Sequence, residues 1–80
     1  MTKSIHTDEM RELCNWLKSQ RKAQNLTMRD LSERIGKPHS FIQKIEQGER
    51  RLDVVEFIWY CKSLSIDPFV GMKLIIDLSK

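Results

Sequence analysis

Two short apolar patterns separated by one glycine constrain this chain more than any other feature of it. The stretch runs from Leu26 to Gly48. Met28, Leu31 and Ile35 recur at helical spacing, and so do Phe41, Ile42 and Ile45. Between the two sets stands Gly36, which suits the left-handed conformation of a tight turn. Thr27 is a good N-cap for the first helix, and Asp30, three residues on, can return a bond to it in a variant of the capping box. Pro38 pre-sets the first turn of the second helix, and Gly48 closes it. The spacing places these helices at about 28–35 and 38–47.

The flanking segments also read as helices. Met10, Leu13, Cys14 and Leu17 give a first helix at about 8–24. Acid at its start (Asp8, Glu9, Glu12) and base at its end (Lys18, Arg21, Lys22) suit the helix dipole, and Asn25 is its stop. After a charged loop, Asp53 caps a fourth helix at about 54–64, supported by Glu56 in box spacing. Its expected buried face is Val54, Phe57, Ile58, Cys61 and Leu64. Asp67-Pro68 is a strong start signal for a fifth helix at about 68–78. There is no repeat and no strand-like alternation. The expected fold is all-α: a single five-helix domain over residues 7–80, preceded by a flexible N-terminal arm at 1–6.

Eighty residues allow one domain with a small core, a poor foundation for a catalytic cleft. Hydrophobic residues make up 40% and charged residues 31%, as in a folded soluble protein. The net charge of +3 favours a polyanionic partner only weakly. Cys14 and Cys61 lie in different helices, outside any CxxC pair, and read as small core residues in a reducing cytosol. No signal-peptide pattern and no membrane-length apolar run is present, so a cytoplasmic protein without membrane contact is expected. His6 and His39 have no acid or cysteine at working spacing, and no glycine-rich phosphate loop occurs. We therefore expect no enzyme activity, no metal, no cofactor and no small-molecule ligand.

Helices two and three together are written as a helix-turn-helix, whose usual use is to place the second helix in the DNA major groove. The ordered set Arg21, Asn25-Leu26-Thr27, Leu31, Gly36, Ile42, Ile45, the run from Glu46 to Arg51 and the helix start Asp53-Val54-Val55 resembles the lambda-repressor-like (Cro/XRE-type) family. The resemblance covers about residues 14–68. It departs at Ser32, where a small alanine is usual, and at Pro38, where serine or threonine often caps helix three. Serine is nearly as small and can bond back to a carbonyl.

The outward positions of helix three are His39, Ser40, Gln43 and Lys44, because Phe41, Ile42 and Ile45 are needed inside. Lys44 can donate to guanine, Gln43 can pair with adenine, and Ser40 and His39 suit several edges. The resemblance points to His39, Ser40 and Lys44 as base-reading positions. Arg50 and Arg51, then Lys37 and the amide end of helix two at Thr27, Met28 and Arg29, are the expected phosphate contacts. Arg34 reads as a solvated side chain. The resemblance implies that Arg21 and Glu46 pair with each other and orient the recognition helix.

Helix five is apolar around most of its circumference, with Lys73, Asp77 and Lys80 on one narrow stripe. A terminal helix on so small a domain buries one face only, so its second apolar face needs a partner. The expected dimer interface is Trp59, Tyr60, Phe69, Met72, Ile75 and Ile76. The resemblance then implies a homodimeric, sequence-specific regulator on a palindromic duplex, a repressor or autoregulator of phage, plasmid or restriction–modification controller type. RNA polymerase is a further partner for such a regulator. The competing expectation is an antitoxin-like module whose fifth helix binds a toxin-like protein.

Overall fold

The computed structural model describes residues 7–79; the expected arm at 1–6 and Lys80 lie outside them. Five helices follow in chain order: α1 (Asp8–Ala23), α2 (Met28–Ile35), α3 (His39–Glu46), α4 (Val54–Leu64) and α5 (Pro68–Leu78). Among the described residues no helix is long and apolar enough to cross a membrane.

The starts of the helices follow from their caps. The Thr7 hydroxyl accepts from Met10 N–H at 3.1 Å, and Asp67 accepts from Phe69 N–H at 2.9 Å ahead of Pro68. Both expected capping boxes form. Thr27 and Asp30 exchange bonds of 3.0 Å each way, and Asp53 and Glu56 exchange bonds of 2.8 and 3.1 Å. Pro38 differs by one position from the expectation. It is the N-cap of α3 rather than its first residue, with φ −61° and ψ 154°. The ring fixes φ alone, so ψ remains extended while the Pro38 carbonyl accepts the first turn's bond from Phe41 N–H at 2.9 Å.

The ends of α1 to α4 share one device. Asn25, Gly36, Gly48 and Ser65 all have φ between 55° and 80°. The next amide in each case reaches back five residues: Leu26 to Arg21, Lys37 to Ser32, Glu49 to Lys44 and Ile66 to Cys61. These bonds, 2.8 to 3.2 Å long, satisfy carbonyls that the helix would leave open.

The core is Leu13, Cys14, Leu17, Leu31, Phe41, Ile42, Ile45, Phe57, Tyr60, Cys61 and Leu64. α1 packs on α5, α3 and α4, α4 also meets α5, and α2 packs on α3 and α4. Ser32 fits as the alanine would, its hydroxyl donating to the Arg29 carbonyl at 2.8 Å. At the α1–α5 seam Gly71 lies against Trp16, and a Cβ there would stand 2.6 Å from the indole ring.

The buried face of α4 corrects the sequence reading. Phe57, Cys61 and Leu64 are buried as expected, but Val54 is 72% and Ile58 36% exposed. Tyr60 takes the remaining core position and is fully buried, so it cannot belong to a dimer interface. The stripe Phe57–Tyr60–Cys61–Leu64 has ideal helical spacing, and Val54 and Ile58 lie on its flank. Tyr60 Oη has no hydrogen-bond partner among the described residues, and burial pushes the phenol well above its usual range. Burial also raises the thiol of Cys14 and pushes that of Cys61 up to about 11.

Candidate nucleic-acid interface

α3 presents one polar face. His39, Ser40, Gln43 and Lys44 are all exposed, while Phe41, Ile42, Ile45 and Glu46 are buried behind them. On a helix these four positions span less than half the circumference, so they can enter one groove together. Nothing on this helix competes with them for solvent, and three connections fix its pose.

The first connection is the Gly36 turn, whose φ of 80° sets the angle between α2 and α3. The second is the pair Arg21–Glu46. Arg21 donates Nε–H to Glu46 Oε2 at 2.6 Å and Nη2–H to Oε1 at 3.0 Å. Its third group, Nη1, donates to the Leu26 carbonyl at 2.7 Å. The Glu46 side chain is 1% exposed. One guanidinium thus ties α1 to the end of α3 and to the loop before α2, through a bidentate charged pair and one carbonyl bond. Its hydrogen bonds to Glu46 raise the Arg21 pKa against the lowering effect of burial.

The third connection was not foreseen in the sequence. Arg50 donates Nη1–H to Glu56 Oε1 and Nη2–H to Oε2, both at 2.9 Å, and Nη1–H also to the Arg51 carbonyl at 2.8 Å. Its guanidinium carbon lies over the Phe41 ring, 4.7 Å from the centre. The Arg50 hydrogen bonds, first among the causes, hold the Glu56 carboxyl below the usual carboxylate range. Arg50 is therefore engaged within the fold, an interaction that its reading as the best phosphate contact did not include. Lys37 is half-buried, its ammonium 5.8 Å from the Phe41 ring and 5.2 Å from that of Trp59. Spacing could not reveal these partners, because Arg50 lies in the loop before α4 and shares no helical period with Glu56.

The other expected phosphate contacts sort by geometry. Thr27 N–H is occupied by Asp30, while the Thr27 hydroxyl keeps its own proton to donate. Met28 packs its side chain against the core, so only its backbone amide faces outward from the start of α2. Arg29 and Arg51 are exposed. Arg34 is exposed as expected and donates to the Ser63 carbonyl at 3.1 Å.

The proposed dimer residues divide between two flanks. Trp59 faces the α2–α3 side and helps to line an open groove of about 300 Å³ with Arg34, Ile35, Lys37, Lys62 and Ser63. It does not join the helix-five surface. On the opposite flank, Val54 and Ile58 of α4 and Met72 and Ile75 of α5 line a cavity of about 150 Å³. Phe69, Met72 and Ile76 continue from it as an exposed strip along α5, and Ile75 is half-buried.

Comparison with known proteins gives the same architecture. Residues 17–67 match the helix-turn-helix family model. An XRE-family like protein from Pseudomonas syringae pv. tomato superposes with a TM-score of 0.84 at 34% identity, over 96% of this chain and 94% of that one. The restriction–modification controller protein C.AhdI from Aeromonas hydrophila superposes with a TM-score of 0.76 at 22% identity, over 81% of this chain and 98% of its own. The controller protein C.Esp1396I, solved as a tetramer in complex with its natural 35 base-pair operator, gives 0.80 at 19% identity, over 90% and 95%. No curated protein matches.

Proposed function

Because this chain belongs to the Cro/XRE-type helix-turn-helix family, we propose that it is a DNA-binding transcription regulator. It acts as a homodimer on a palindromic operator. The observation that carries this reading is the polar face of α3, held by the Gly36 turn, the buried Arg21–Glu46 pair and Arg50. In this reading His39, Ser40, Gln43 and Lys44 meet base edges. Arg29, Arg51, the Thr27 hydroxyl and the Met28 amide meet phosphates on either side.

The homodimer rests on the strip Phe69–Met72–Ile76 with its neighbours Val54, Ile58 and Ile75, an apolar surface with no cover in the single chain. A two-fold axis through it would pair two recognition helices, each reading a few base pairs about 34 Å apart. Such a protein represses by covering a promoter, including its own, in the manner of a phage, plasmid or controller-type regulator. From an upstream site it would touch RNA polymerase. Its place is the cytoplasm, where the DNA is. The same apolar strip favours one other reading, an antitoxin-like protein whose fifth helix receives a different chain.

Selection of bound duplexes from a random pool at physiological salt tests the proposal. A two-fold palindrome with half-sites about one helical turn apart is the expected result. Recovery of no enriched sequence refutes sequence-specific regulation. A hetero-partner that co-purifies on helix five and displaces the second copy favours the antitoxin-like reading.

A further inference from the structure

We propose that Glu56, an acidic residue, is a positioning residue for base recognition, acting through Arg50 on Phe41. The inference rests on the DNA-binding reading above. Glu56 is itself anchored, since its Oε1 accepts from Asp53 N–H at 3.1 Å within the cap of α4. From there both carboxylate oxygens hold the Arg50 fork at 2.9 Å, and the guanidinium carbon lies over the Phe41 ring, 4.7 Å from its centre. Lys37 approaches the same ring and bridges it to Trp59 of α4. Phe41 lies within α3 between the outward pairs His39–Ser40 and Gln43–Lys44. The start of α4 therefore sets the roll of the helix that carries the base-reading side chains.

The proposal inverts the ordinary electrostatic expectation. Near a phosphate backbone, removing a carboxylate and releasing an arginine should tighten binding to any DNA. If Glu56 acts by position, its removal weakens the selected sequence relative to others, because four side chains lose their common alignment. Bidentate pairing and stacking also belong to arginine alone, so lysine at position 50 keeps the charge and loses the hold.

The test uses the full chain, the duplex enriched from a random pool and a shuffled duplex of equal length, over a series of salt concentrations. Glu56→Gln keeps an acceptor for Asp53 N–H and so isolates the Arg50 pairing from the cap. Both Glu56→Gln and Arg50→Lys are expected to lower the ratio of selected to shuffled affinity by about fivefold or more. The salt dependence on the selected duplex should stay that of the wild type, and the double variant should do no worse than either single one. A ratio that is unchanged or raised in Glu56→Gln overturns the proposal, including the case in which only its melting temperature falls. So does a wild-type-like Arg50→Lys beside an Arg50→Ala whose salt slope drops by about 1, the mark of a phosphate contact. A wild-type protein that does not distinguish the two duplexes overturns the DNA reading itself, an outcome separate from these.

Discussion

Tyr60 is fully buried with an unbonded hydroxyl, near enough to Glu46 and Arg21 for their charges to act on it. An unsatisfied buried polar atom costs about 1–3 kcal/mol, so its removal without loss of the ring should help the fold. Tyr60→Phe is expected to leave stability unchanged or raise it by about 1 kcal/mol, read as a shifted midpoint in urea unfolding. Lys44 belongs to the opposite case, a side chain whose surroundings inside the protein ask nothing of it. Lys44→Ala should leave unfolding unaltered and cost about 1–3 kcal/mol at one base pair of each half-site, read by competition among single-base variants of the selected duplex. A uniform loss over all sequences would instead make Lys44 a phosphate contact. At this scale the sequence was legible wherever one helical period decides orientation. The four outward residues of α3 are of that kind, since three large apolar neighbours leave them only one side. The pairing of Arg50 was not legible because a cation in a loop has no period, and Glu56 could be read only as the partner of the Asp53 cap.

The five helices were legible to within about one residue because capping chemistry is local. Thr27 with Asp30 and Asp53 with Glu56 each mark a start by two residues three apart, and both pairs form in the structure. What was not legible is how one element meets another. Gly71 appears in the sequence as an ordinary weak point in an apolar helix. In the fold it is the one buried residue of α5, with the Trp16 ring in the space a Cβ would fill and Phe57 Cζ 3.0 Å away. Alanine is the better helix former by about 1 kcal/mol, yet overpacking a seam between rigid rings costs about 1–3 kcal/mol. Gly71→Ala is therefore expected to destabilise the protein slightly, by about 1 kcal/mol net, as a lower melting temperature by circular dichroism. A rise would mean that the Trp16 ring moves aside freely. The face of α4 failed for a related reason: Val54, Ile58 and Tyr60 are all apolar enough for the core, and only the packing of the other helices selects Tyr60.

At the scale of the molecule the two flanks of α4 have different tasks. One carries Glu56 and Trp59 toward the α2–α3 unit, and the other turns Val54 and Ile58 toward the apolar strip of α5. The dimer proposal belongs to the second flank. Ile76, 67% exposed and away from the chain's own core, is the residue with which to test it, since Ile75 also packs inside. Ile76→Asp is expected to give a folded monomer by light scattering. Affinity for a duplex with two half-sites should fall by about a hundredfold, because the second contact is no longer tethered to the first. A variant that remains dimeric would place the interface elsewhere. The two tryptophans fall on different seams: Trp16 under α5 against Gly71, and Trp59 beside Lys37 at the turn between α2 and α3. The chain therefore carries two built-in optical reporters. Indole emission from position 16 follows the docking of the last helix. Emission from position 59 follows the surroundings of the recognition unit, so single-tryptophan variants separate assembly from DNA contact in one titration.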